Sequence, residues 1–259
     1  MLATEWVTKS FIISLLNFTF MKKAFLFTLF TLITFCAFAQ EIWIEAAAKG
    51  GYGISFLHNS NIIDDDSYNY KITSTYGFGA KLAVNFGPYH GISIDGIYNT
   101  LGQNFEYDLP GAKNLKNEIS WKNLDAYFLY RYTRNRVFLE LGPMYSFVQE
   151  VKQTDAGIEF QEAENNYEHN YLSGVFGWGG YLAGSETFSL VLGMRLHYGL
   201  TNFVNSDGQK LGLPNFVNYP DNKKTRPAFI QVMMEFNFGI GRFAKAQCNK
   251  RMQFFRARR

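Results

Sequence analysis

Cysteine, histidine and proline are all scarce in this chain, at two, four and six among 259 residues. Cys36 falls in a leader-like segment, so Cys248 is the single thiol expected in the mature protein and no internal disulfide can form. Cys/His spacing suited to zinc is missing, and so is a glycine-rich phosphate loop. Beyond residue 40 no stretch approaches twenty consecutive apolar residues, which excludes a transmembrane helix. Net basicity is missing where the sequence pI of 8.7 would place it. Of the 25 Lys+Arg, three precede residue 40 and seven follow Gly241, leaving 15. Of the 22 Asp+Glu, Glu5 alone lies outside, leaving 21 and a body of charge −6. A nucleic-acid partner is thereby excluded, because no basic stripe lies on the folded part.

What is present begins with an address. Met21-Lys22-Lys23 forms a positive n-region, Ala24 to Cys36 an uncharged Phe/Leu-rich run, and Ala37-Phe38-Ala39 an A-x-A cleavage site. Residues 1–39 therefore read as an upstream extension plus signal peptide, with Met21 as the start and Gln40 as the mature N-terminus. The alternative is one long anchor over both apolar runs, which Lys22 and Lys23 interrupt. A lipoprotein reading of Cys36 meets Phe35 where a small residue is required.

The body alternates with period two. From Ile230 to Ile240 every second residue is apolar, and Gln231, Glu235 and Asn237 lie between. A greasy face opposite a polar one is the pattern of a membrane barrel strand. Eight such segments can be drawn, at roughly 42–57, 72–86, 92–106, 119–133, 136–149, 170–184, 187–202 and 228–241. The sixth is rich in Gly and aromatics, and its lipid face is ambiguous. Links after the second, fourth and sixth are short, while those after the first, third, fifth and seventh are long and polar. That rhythm predicts an all-β, eight-stranded antiparallel up-and-down transmembrane β-barrel over 40–241, in the bacterial outer membrane with both termini periplasmic. A lipocalin-like soluble barrel shares the strand count but keeps its apolar face inside.

Strands three to five carry a resemblance. Asn123-Leu124-Asp125-Ala126-Tyr127 resembles a Leu-Glu-Ile-Pro segment that opens a mid-barrel strand, although Ala126-Tyr127 departs from Ile-Pro. Phe138-Leu139-Glu140-Leu141-Gly142-Pro143 resembles an aromatic-x-x-x-Gly-Pro segment. On these the chain is similar to the PorT-like outer-membrane β-barrel family, common in Bacteroidota envelopes. The resemblance implies location more than activity, since that family holds a secretion-system component and many barrels of unknown role. Outer-membrane lipid, the barrel-assembly machinery and envelope proteins are the partners it implies.

Polar faces turned inward place Glu45, Asp95, Asp125, Glu140 and Glu235 in the lumen with Lys49, Lys81, Arg131, Arg195 and His197. A salt-bridged plug is expected, with an ion path or a ligand cavity as alternatives. An enzyme needs a nucleophile, a base and an acid. Ser189 and His197, with Glu235, are candidates, but eight residues on one strand separate the first two by roughly 27 Å. His58 and His90 fall at a loop start and a turn, which leaves His169 with Glu168 and Ser173 as a rim trio. Asp64-Asp65-Asp66 lacks EF-hand spacing. No catalytic, cofactor or metal residues are assigned. The expectation is a non-enzymatic barrel that presents loops 59–71, 107–118, 150–169 and 203–226 or assists an envelope or secretion complex. Small-solute transport and lipid modification are the alternatives. A basic tail, 242–259, follows, read either as a lipid- or partner-binding segment or as a plain extension.

Overall fold

The computed structural model describes residues 42–109, 111–161, 163–184 and 188–244. The leader reading and the tail beyond Ala244 lie outside the described residues. In chain order the strands are β1 (Ile42–His58), β2 (Tyr68–Lys71), β3 (Thr73–Phe86), β4 (His90–Leu109), β5 (Ala112–Arg134), β6 (Val137–Asp155), β7 (Ile158–Glu159), β8 (Asn170–Gly184), β9 (Phe188–Gly199) and β10 (Arg226–Ala244). Two short helices, α1 (Ser60–Ile63) and α2 (Ser206–Lys210), sit in the first and last long links.

Eight of the strands close a ring. β1 pairs with β3, β3 with β4, β4 with β5, β5 with β6, β6 with β8, β8 with β9, β9 with β10, and β10 with β1, each antiparallel. Closure leaves no edge whose amides lipid would have to satisfy. β2 and β7 are additions at the long-loop end. β2 pairs with β4 at Asn104–Tyr107, above the point where β3 leaves it, and β7 pairs with the end of β6.

The sequence alternation follows from the two faces. On β10, Gln231, Met233, Glu235 and Asn237 are buried, while Val232, Met234, Phe236 and Phe238 face out. β8, ambiguous in sequence, turns Leu172, Phe176 and Trp178 outward and Tyr171, Ser173 and Val175 inward. At the end where β1 begins and β10 finishes the hairpins are tight. β5 and β6 join through Asn135 and Arg136, both in the left-handed region (φ 51° and 67°), the twist that a two-residue hairpin needs.

Several boundaries differ from expectation, among them that of β6, which runs to Asp155, six residues past the expected 149. The link 107–118 is not a loop: β4 runs to Leu109 and β5 starts at Ala112, so the hairpin continues as paired strand. β10 also continues to Ala244, three residues past the expected end of the barrel.

The hairpin extension exposes a change of polarity partway up the wall. Below it, β5 turns Leu124, Phe128 and Tyr130 outward and Asn123, Asp125 and Arg131 inward. Above it, the same strand turns Lys116, Glu118 and Ser120 outward and buries Ile119 and Trp121. β4 does the same, with Ile94 outward below and Glu106 outward above, opposite buried Leu101 and Phe105. The ladder between β5 and β6 shifts by one residue between Lys122 and Asn123, a β-bulge at the level where the polarity inverts. The lower barrel is built inside-out for lipid, and the upper barrel is built like a soluble one, with its apolar face inside.

Candidate functional site

The lower interior is filled by charge. Direct cross-strand register sets Lys49 beside Glu235, Lys81 beside Asp95 and Arg131 beside Glu140. From these positions eight buried side chains join into one cluster. Lys49 pairs with Asp95 and, at 2.8 Å, with Glu235. Lys81 bridges Glu45 (2.6 Å) and Glu235 (3.0 Å). Arg131 bridges Glu140 (2.8 Å) and Glu235 (2.6 Å). Arg195 reaches Asp95 at 2.8 Å and also pairs with Glu140. Four acids therefore meet four bases. Glu235 is the hub, within 3.0 Å of three cations and 3.9 Å from the fourth. Two rings complete the shell: the Arg131 guanidinium lies 4.1 Å over Phe138, and that of Arg195 lies 5.1 Å over Tyr127.

A glycine makes one of these contacts possible. Gly177 of β8 stands in register between Glu140 of β6 and Arg195 of β9. Without a side chain there, the two charges reach each other across the intervening strand. A Cβ at Gly177 would sit 2.7 Å from the Glu140 carboxylate. Gly177→Ala is therefore expected to destabilise the barrel by about 1–3 kcal/mol, read from the urea midpoint of the refolded protein. An unchanged midpoint would show that the cluster has slack.

Asp125 and His197 stand apart from the cluster. Asp125 accepts from Asn99 at 2.6 Å and makes no ion pair among the described residues. His197 stacks on Phe229, with ring centroids 3.8 Å apart, and meets the edge of Tyr127. Both belong to a polar layer above the ion pairs, where Gln231 donates to Asn99 (3.0 Å) and Thr75 (3.3 Å), and Asn123 donates to Tyr171 (2.5 Å). Higher still comes an apolar cluster that includes Trp121, Tyr167, Tyr171, Phe203 and Leu213.

The last long link closes the mouth above that cluster. The carbonyl of Pro214 accepts from Asn117 (2.9 Å) and Gln153 (2.7 Å), and Tyr68 donates to the carbonyl of Asn215. Tyr219 donates to Asp65 at 2.9 Å, tying the last link to the first. The Ser67 backbone N–H, with the Tyr219 hydroxyl, holds the Asp65 carboxyl below its ordinary range. Burial and the neighbouring Asp65 push the Tyr219 hydroxyl up to about 12. These anchors were not foreseen from sequence, since loops carry no periodicity to read.

The catalytic candidates are not assembled. Ser189 accepts from Asn237 at 3.3 Å on the lower barrel wall, and no hydrogen bond joins it to His197 or Glu235. Ser173 is buried inside the barrel, while Glu168 and His169 are exposed beyond the end of its strand, and no hydrogen bond among these three is present. Within the Asp64–Asp66 run, Asp65 is engaged by Ser67 and Tyr219.

The family described as "Outer membrane protein beta-barrel domain" matches residues 38–205, more than half of the chain. The chain belongs to that family. No curated protein matches. Three of the solved structures similar to this chain serve as examples. They are the neisserial surface protein NspA (12% identity, 74% of this chain and 95% of that one, TM-score 0.36), OprG from Pseudomonas aeruginosa (12%, 80% and 97%, 0.39) and Ail of Yersinia pestis (13%, 75% and 98%, 0.35). Membership of the outer-membrane barrel family places the protein in the bacterial outer membrane and makes its outward apolar face the lipid face. On β5 that face runs from Tyr132 up to its limit at Lys122, ten steps or about 33 Å of strand. Tilted by about 45°, it spans roughly 23 Å, close to the height of the apolar band of such barrels. Tyr89, Tyr130 and Tyr132 mark one margin, and Tyr76, Tyr98 and Tyr145 the other.

Proposed function

We propose that this protein is a closed, non-enzymatic outer-membrane barrel of the PorT-like kind, which presents a rigid cap to the outside or docks it onto an envelope or secretion complex. The observation that carries this reading is the filled interior. A neutralised ion cluster, a layer of amides and hydroxyls, an apolar cluster and a tied lid follow one another along the axis. Each would have to open for a solute to pass. The short hairpins share one end with the start of β1 and the finish of β10, which in this reading is periplasmic, with the cap facing out. Insertion by the barrel-assembly machinery and contact with lipid follow from the same reading. The ion cluster holds the wall, and the surface offered to partners is the cap, where β2, α1, the β4–β5 hairpin and α2 come together.

The test is electrical and topological. Reconstituted in planar bilayers, the full chain is expected to show no unitary conductance, and deletion of 206–216 is expected to leave the membrane sealed because the ion cluster remains. Steady channels from the wild-type protein would overturn the closed-barrel reading in favour of transport. A cysteine placed at Lys113 is expected to label from outside intact cells. Labelling only after the outer membrane is broken would reverse the orientation.

A further inference from the structure

We propose that the barrel's outer wall carries a site for the phosphate of an outer-leaflet glycolipid, formed by His58, Arg226 and Tyr198. It rests on the reading above that the long-loop end faces outward. The three residues come from adjoining strand ends, with His58 opposite Arg226 and Tyr198 opposite Ala228. All lie on the outward parity of their strands, at the upper margin of the lipid band. Arg226 Nη1 donates to the Tyr198 hydroxyl at 3.3 Å, and that hydroxyl lies 3.2 Å from His58 Nδ1. The guanidinium lies 5.7 Å from the Tyr198 ring centroid. Ala228, on the same outward row, is only 4% exposed beside them.

Three features point to an anion. The lysines at a similar height on the other side of the wall are neutralised: Lys71 by Glu106, and Lys122 and Lys152 by Glu150. Among the described residues no carboxylate pairs with Arg226 or His58, and Lys224, two residues before Arg226, is likewise without an ion pair. The Arg226 Nε is buried and donates to nothing. A guanidinium is a rigid fork of donors that matches phosphate oxygens, and an unused buried donor is costly. With its oxygen accepting from Arg226, Tyr198 can give its own proton to His58 Nδ1, which leaves the His58 Nε2–H as a further donor. Below the site the wall continues with Ile54, Val232, Met234 and Leu192, all exposed and apolar, where acyl chains would lie. A charged head above an apolar tail is the shape of a lipid, and a free anion needs only the upper half.

The experiment titrates the full refolded chain in detergent micelles by native mass spectrometry. The probes are diphosphoryl lipid A, its dephosphorylated form, phosphatidylglycerol and inorganic phosphate, with folding checked by heat-modifiable gel mobility. Diphosphoryl lipid A is expected to bind about tenfold or more tighter than the dephosphorylated form, with Arg226→Gln losing about tenfold and Arg226→Lys less. Equal binding of the dephosphorylated form, or unchanged binding in the folded double variant Arg226→Gln/His58→Gln, overturns the site. Inorganic phosphate binding as tightly reduces it to a free-anion site, and phosphatidylglycerol binding as tightly removes its glycolipid assignment. Failure of the outside labelling at Lys113 with phosphate-dependent binding intact would sink the orientation and leave the phosphate chemistry standing.

Discussion

Replacing Glu235 by alanine is expected to lower the unfolding free energy of the refolded barrel by about 3–5 kcal/mol. Glu235 is 2% exposed and holds Lys49, Lys81 and Arg131 within 3.0 Å. Its removal turns a cluster of four against four into one with a surplus positive charge deep in the wall. Each cation keeps another partner, Asp95 for Lys49, Glu45 for Lys81 and Glu140 for Arg131, so the loss is shared and the fold survives. Glu235→Gln keeps the volume but not the charge, and should lose most of the same stability. Glu106→Ala, which breaks a partly exposed pair with Lys71, is expected to cost about 1 kcal/mol or less. Urea titrations in micelles read all three. A Glu235→Ala midpoint as mild as that of Glu106→Ala would mean that water reaches the cluster and that the plug is not dry.

The same cluster shows what a sequence can and cannot disclose. Parity along each strand places a charge inside or outside, because successive side chains point to opposite faces. It does not give height, which depends on strand tilt and on the stagger between neighbours. Asp125 and Arg131 share an inward parity on β5, yet only Arg131 is at the level of Glu140 and Glu235. Asp125 instead meets Asn99 one layer up. Likewise Arg195 and His197 are successive inward residues of β9, but the first is ion-paired and the second is stacked on Phe229. The contact of Glu140 with Arg195 could not be read from either strand, since it passes over Gly177 on a third.

The cap was illegible for a different reason. A polar run such as 107–118 reads as a loop when the rule in force is apolar outside. Above Lys122 the wall leaves the lipid and water replaces it, so the outward residues become Lys116, Glu118 and Ser120 while pairing continues. The inward residues answer with Ile119 and Trp121. Alternation is preserved and its sign is reversed. The membrane-barrel and soluble-barrel patterns are rivals in the sequence, and one hairpin uses both, the first below the level of the bulge and the second above it.

That division leads to a second large effect, localised in the upper barrel. Trp121→Ala is expected to cost about 3–5 kcal/mol, the usual loss for emptying a buried tryptophan site. Trp121 is 1% exposed and packs 5.2 Å from Phe203, which in turn meets Tyr167 at 4.9 Å and Tyr171 at 5.6 Å. Phe203 opens the link that carries the lid, so the cavity undermines Leu213 and the Pro214 contacts before it reaches the ion cluster. In lipid vesicles the variant should be cut by added protease within 203–225 at least tenfold faster than wild type, while the ring keeps its heat-modifiable mobility. Leu124→Ala, just below the polarity switch and facing lipid, should leave the cutting rate unchanged, because it removes nothing from the cap. If Trp121→Ala instead melts the whole ring in one step with no early cutting, cap and membrane barrel form one cooperative unit, and the bulge beside Lys122 marks a change of solvent without marking a boundary of stability.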